Sequence, residues 1–136
     1  MRVFLDTNVL VSAFASRGIC ADLLRHILLE HDVITGEVVL TELKRILLKR
    51  INVPPKVVAE IEHLLRDHQV VAKPRRHLDL GLRDADDEWI VASAVAGKAE
   101  ALVTGDRDIL ATIVHLPIRV YSPRQFWEQG HKDRSR

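Results

Sequence analysis

Two short apolar runs in this chain each hand over to an aspartate. Val3-Phe4-Leu5 is followed at once by Asp6, and Ala101-Leu102-Val103 leads through Thr104 and Gly105 to Asp106. If the runs are neighbouring strands of an open parallel sheet, both acids arrive at its carboxyl edge, where such sheets bind ligands. Glu42 lies four residues after Val38 and four before Ile46, which places it beside an apolar helical stripe and turns it inward. Asp87 falls in the first turn of a strongly apolar segment that Asp84 is placed to cap. Four carboxylates in one cleft repel one another, so they take up protons or gather round a cation. An all-oxygen donor set favours Mg²⁺ or Mn²⁺ over Zn²⁺. Such an ion polarises a phosphoryl oxygen and makes water a nucleophile at neutral pH, which is the equipment for hydrolysing a phosphodiester. Each acid also has a plainer reading. Asp87 suits a helix dipole, Asp106 or Asp108 suits a helix cap, and Asp6 with Asn8 suits a turn.

These acids need elements to hold them. The two apolar runs show no polar alternation, the pattern of strands buried on both faces. Val33-Ile34, Val70-Val71-Ala72 and Ile118–Tyr121 are weaker strand candidates. Helical spacing appears in Leu23, Leu24, Ile27 and Leu28, then in Val39, Leu43, Ile46 and Leu47, and again over Val57–Leu65. Trp89–Ala96 is apolar nearly all round and predicts a helix sandwiched in the core. Ser122-Pro123 predicts a cap and first turn, opening a short final helix through Trp127. Strands alternating with helices imply a parallel sheet covered on both faces. The longest irregular stretch is Lys73–Arg83, which carries Arg75, Arg76 and His77 and reads as a loop over a site.

A length of 136 residues and a hydrophobic content of 47% suit one domain, taken as residues 1–130, with a basic polar tail over 131–136. The single Cys20 allows no internal disulfide and suits a reducing cytoplasm. No uncharged run reaches the roughly 20 residues of a membrane helix, and the apolar start is too short for a signal peptide. Net charge is +1, yet Leu43–Arg76 holds nine Lys/Arg against three Asp/Glu, which suits either a polyanion or a solvated helical face. Asn8 stands where a haloacid dehalogenase-type phosphatase needs a second Asp. Lys73 follows the third strand candidate where a response-regulator receiver needs a phospho-accepting Asp, and no Gly-rich phosphate loop is present. The seven His show no zinc spacing. Trp89, Trp127, Tyr121 and three Phe read mostly as core, which argues against a dedicated base-stacking platform.

Phe4-Leu5-Asp6-Thr7-Asn8-Val9-Leu10-Val11-Ser12-Ala13 resembles the opening of PIN domains, an apolar strand, Asp, then Thr or Ser, then Asn. Val38–Leu43, Asp86–Ala92 and Leu102–Leu110 resemble the second, third and fourth acidic segments of that family, in order, across about residues 1 to 120. The resemblance implies a three-layer α/β/α sandwich around a parallel sheet of about five strands, and an Mg²⁺- or Mn²⁺-dependent endoribonuclease. It assigns catalysis to Asp6, Glu42, Asp87 and Asp106, with Asp6, Asp87 and Asp106 holding metal and Asn8, Thr104 and Asp108 in support. Asp87 is preferred to Asp86 because Ile90 and Ala92 then keep the family's register. In-line attack by water would leave a 5′-phosphate and a 3′-hydroxyl. Lys44, Arg45, Lys49, Arg50, Arg75 and Arg76 become candidates for phosphate contacts. Many bacterial members are VapC-type toxins neutralised by a small antitoxin, and the family often forms homodimers, for which the Val57–Leu65 helix offers apolar residues. The alternative is a module that keeps the fold and the metal, binds RNA or protein, and barely turns over.

Overall fold

All five expected strands form, and they pair in parallel. They are β1 (Arg2–Leu5), β2 (Asp32–Gly36), β3 (Gln69–Val71), β4 (Ala101–Val103) and β5 (Arg119–Tyr121), in the order β3-β2-β1-β4-β5. The structure is a computed structural model that describes residues 1–76, 79–112 and 118–134, without the side chains of 112 and 131–134. The strand with the purest apolar run, β1, takes the centre, where Val3, Phe4 and Leu5 lose essentially all contact with water. Phe4 pairs with Ile34 of β2 on one side and with Leu102 of β4 on the other. The weaker runs supply the half-exposed edges, β3 and β5.

Seven helices are found among the described residues: α1 (Thr7–Ala15), α2 (Ile19–Glu30), α3 (Glu37–Lys49), α4 (Pro55–Arg66), α5 (Ala85–Ala96), α6 (Arg107–Thr112) and α7 (Pro123–Arg134). Connections between parallel strands are right-handed. The step from β3 back across the sheet to β4 therefore puts α5 on the face opposite α2, which packs against α7. Helix α1 departs from the sequence expectation. Val9, Leu10, Ala13 and Phe14 keep helical spacing, but no loop separates them from β1, because Asp6 alone ends the strand and caps the helix. Helix α7 also runs past Trp127 to Arg134, since no proline after Pro123 interrupts it. The described residues of the Lys73–Arg83 connection are irregular, and its His77 lies outside the described residues. Among the described residues no helix is long and apolar enough to cross a membrane.

Two features fix the helices that carry Glu42 and Asp87. Arg66 of α4 grips both oxygens of Glu37 on α3 at 2.7 and 2.9 Å and also binds Glu62, which in turn meets Lys44 at 3.2 Å. These ions are partly exposed, so they orient the α3–α4 pair more than they stabilise it. On the other face, α5 lies so close to the sheet that a Cβ on Gly97 would stand 2.7 Å from Val71 Cγ2 and 3.1 Å from Ile34 Cγ2. Branched side chains on strands cannot swing away. Gly97→Ala is therefore expected to destabilise the protein by about 1–3 kcal/mol, read as a lowered urea midpoint. Gly18→Ala, with nothing within 4 Å, serves as the control. Equal midpoints for the two variants would show that α5 is not pinned at this contact.

Candidate active site

The strand order reverses direction at β1. The chain builds outward through β2 and β3, then returns to add β4 and β5 on the other side. The crevice beyond the carboxyl ends of β1 and β4 is thus the sheet's switch point, the place where open α/β sheets bind ligands. Leu5 pairs with Val103, so the next residues, Asp6 and Thr104, emerge side by side. Asp6 is only 2% exposed. Its Oδ1 accepts from the Thr7 backbone N–H at 2.6 Å, and its Oδ2 accepts from the Thr104 hydroxyl, also at 2.6 Å. The same hydroxyl oxygen accepts from the Asp106 N–H at 3.0 Å. Asp106 then caps α6, its Oδ1 accepting from the N–H groups of Asp108 at 2.8 Å and Ile109 at 3.3 Å.

Helix α5 brings Asp87 to this pair. Asp84 caps the helix by accepting from the Asp86 N–H, which leaves Asp87 in the first turn and hydrogen-bonded to the Asp106 carboxyl. Burial, then the charge and hydrogen bond of Asp106, then Asp6, push the Asp87 carboxyl up to about 7. Burial also raises Asp6 to about 6 against the pull of its hydrogen bonds from Thr104 and Thr7, with Glu42 and Asp106 adding to the rise. Glu42 reaches the group from α3. It is raised by burial first and by Asp86 next, and its Oε2 accepts from the Thr7 hydroxyl at 3.4 Å.

The donor set fits a hard divalent cation. Carboxyls that burial and mutual repulsion push toward neutrality gain most from a positive charge placed among them. Among the described residues no three acids close into a finished cage. Much of the lone-pair capacity of Asp6 and Asp106 is already taken by Thr7, Thr104 and the start of α6. An ion held by one or two of these carboxylates, with water and substrate completing its shell, is the arrangement Mg²⁺ favours.

The acids predicted from sequence thus converge, with Asp6, Asp87 and Asp106 at the centre and Glu42 on the flank, linked through Thr7. Thr104 is hydrogen-bonded to Asp6. Asp108 acts one step out, its Oδ2 accepting from the Arg83 N–H at 3.0 Å and tying the approach to α5 onto α6. Asn8 does not support Asp6. Two positions on from the cap it lies across the helix from it and is exposed, and Thr7 takes the role instead. Thr7 was legible as the first helical residue once Asp6 is read as a cap. Lys44 is paired with Glu62 at 3.2 Å. Lys49 and Arg50 lie at the far end of α3, about 10 Å along the axis from Glu42 at 1.5 Å per residue, whereas Arg45 is one turn away. Arg75 and Arg76 are exposed on the connection that leaves the same sheet edge.

A PIN domain family model matches residues 2–108 of the chain. The chain belongs to the PIN domain family. No curated protein matches the sequence. Solved structures share the fold at low identity. The Rickettsia felis VapBC2 complex bound to a promoter DNA fragment superposes with a TM-score of 0.66 at 16% identity, covering 90% of this chain and 98% of that one. VapBC-1 from nontypeable Haemophilus influenzae gives 0.64 at 18% identity over 91% and 99% of the two chains. Mycobacterium tuberculosis VapC20, a toxin that cleaves the sarcin–ricin loop, gives 0.60 at 17% identity over 86% and 98%.

The raised carboxyl of this PIN domain's Asp6 has a measurable cost. A native carboxyl at about 6 binds its proton more tightly than the unfolded group at 3.8. The native state is therefore progressively destabilised as pH climbs through that range, and the penalty is complete above about pH 7. Roughly two units at about 1.4 kcal/mol each come to about 3 kcal/mol. In EDTA, Asp6→Asn is expected to melt higher than wild type at pH 8, with the gap closing toward pH 4. A gap independent of pH in thermal unfolding would show that Asp6 is not the group responsible.

Proposed function

We propose that this chain is an Mg²⁺- or Mn²⁺-dependent endoribonuclease. The reading is carried by one observation, the convergence of Asp6, Asp87 and Asp106 at the switch point of the sheet, where burial and neighbouring acids raise the carboxyls of Asp6 and Asp87. One or two of Asp6, Asp87 and Asp106 would hold the ion directly, with the remaining acid and Glu42 acting through water. A bound ion supplies positive charge to the phosphoryl oxygens and lowers the pKa of water. The chain's own residues do the rest. Thr7 and Thr104 fix Asp6 in one orientation, so that no rearrangement is needed when substrate enters. Asp87, whose carboxyl is raised by burial and by Asp106 in the metal-free protein, would give up its proton as the ion binds. Asp108 keeps the approach to α5 in place, and Arg45 offers a cation one turn from Glu42. Cleavage by water in line would leave a 5′-phosphate and a 3′-hydroxyl.

We further infer that the protein is the toxin of a two-component pair, acting in the cytoplasm and neutralised by a small antitoxin. Family membership and a fold shared with VapBC complexes support this. Association into a homodimer is supported by Val57 and Leu64, which stand 39% and 38% exposed on α4.

The test is cleavage of a panel of structured and single-stranded RNAs with Mg²⁺, Mn²⁺ or EDTA. Metal-dependent cutting is expected, falling by about 100-fold or more in Asp6→Asn and Asp106→Asn. Thr104→Ala should lose about 10–100-fold, the usual cost of removing the partner that orients a ligand. Wild-type protein that binds RNA yet never cuts it with either metal would replace this reading with that of a binding module.

A further inference from the structure

Beside the acid cluster a cavity of about 350 Å³ opens between α3 and α5. Its size is within the range of small-ligand sites. Glu42 and Asp86 form the wall toward the cluster, Val38 supplies apolar surface, and Trp89, Arg45 and Lys73 complete the lining. Trp89 differs from the sequence expectation of a core residue, since it is only half-buried. The Lys73 ammonium lies 4.5 Å from its ring centroid, a cation–π contact that a long flexible side chain can exchange for a phosphate. On α3 and α4, Lys44 is paired with Glu62, and Arg66 with Glu37 and Glu62. Arg45 and Lys73 instead face the cavity, and Glu37, which also lines it, is neutralised by Arg66.

We propose that this cavity is a nucleotide subsite for single-stranded RNA, with one base stacked on Trp89 and its phosphate held between Arg45 and Lys73, next to the acid cluster. A flat ring flanked by two cations is the equipment used to bind unpaired nucleotides without reading their sequence. The proposal rests on the nuclease reading for its substrate class, and it adds a second anchor that sets which phosphate reaches the acids.

Trp89 and Trp127 are the only tryptophans, so Trp127→Phe leaves Trp89 as the sole reporter. This variant, also carrying Asp106→Asn to prevent cutting, is titrated with single-stranded hexaribonucleotides in Mg²⁺ while fluorescence is followed. Saturable quenching of Trp89 is expected. Arg45→Ala and Lys73→Ala should each weaken it by about 5- to 10-fold, and Arg25→Ala on α2 should change it less than twofold. In protein with Asp106 intact, Trp89→Leu should raise KM about tenfold with kcat nearly unchanged, and Trp89→Phe should restore KM by keeping a flat ring. Absence of quenching, quenching indifferent to Arg45 and Lys73, or an unchanged KM in Trp89→Leu would overturn the subsite. Cleavage without quenching leaves the nuclease reading standing and removes the subsite. Quenching without cleavage by the parent protein does the reverse.

Discussion

The Thr104 hydroxyl ties the two halves of the site together. It donates to Asp6 at the end of β1 and accepts from the Asp106 backbone beyond β4. Because Leu5 and Val103 are register partners, the seam is an extension of the sheet's own hydrogen-bonding ladder. A slip of one residue would turn Asp6 to the other face and leave the hydroxyl without its acceptor. The burial of β1 on both sides makes such a slip costly, so the apolar core and the position of the acids are one constraint. The helices are arranged around it. Asp6 starts α1, Asp106 starts α6, and the close approach of α5 at Gly97 goes with Asp87 being delivered to the same point.

The arrangement runs against the stability of the metal-free protein. Burying Asp6 while crowding it with Glu42 and Asp106 raises its carboxyl toward neutrality, and Asp87 goes further. A fold under selection for stability alone would place apolar groups or a basic partner there. Lys44 and Arg66 are instead bound to Glu37 and Glu62, and Arg45 lines the neighbouring cavity. Strongly perturbed carboxyls gathered at a switch point are the signature of a site built for function.

Most of this was legible in sequence where local and global signals agreed. Val3–Leu5 and Ala101–Val103 read as central strands, and their pairing sets Asp6 and Thr104 side by side at the same sheet edge. The third acid was assigned to Asp87 on family register, and Asp84 capping the helix puts it beside Asp106. Helix α1 escaped because strand and helix share a single boundary residue, which hides the change of period. Asn8 was misplaced for the same reason, since its direction depends on that helix. Lys44 looked available until the partner helix, distant in sequence, supplied Glu62. The cavity at Trp89 was also out of reach, because whether an aromatic faces core or cleft depends on how closely two helices pack.

The central claim is that the fold assembles these carboxyls to receive a divalent ion. Calorimetric titration of the protein with Mn²⁺ at pH 6.5, in two buffers of different ionisation heat, tests it most directly. The account predicts saturable binding that releases protons from the raised carboxyls. Release should be diminished in Asp6→Asn and Asp87→Asn and retained in Asn8→Ala. Absence of saturable binding, or binding with no proton release that survives Asp6→Asn, would contradict it.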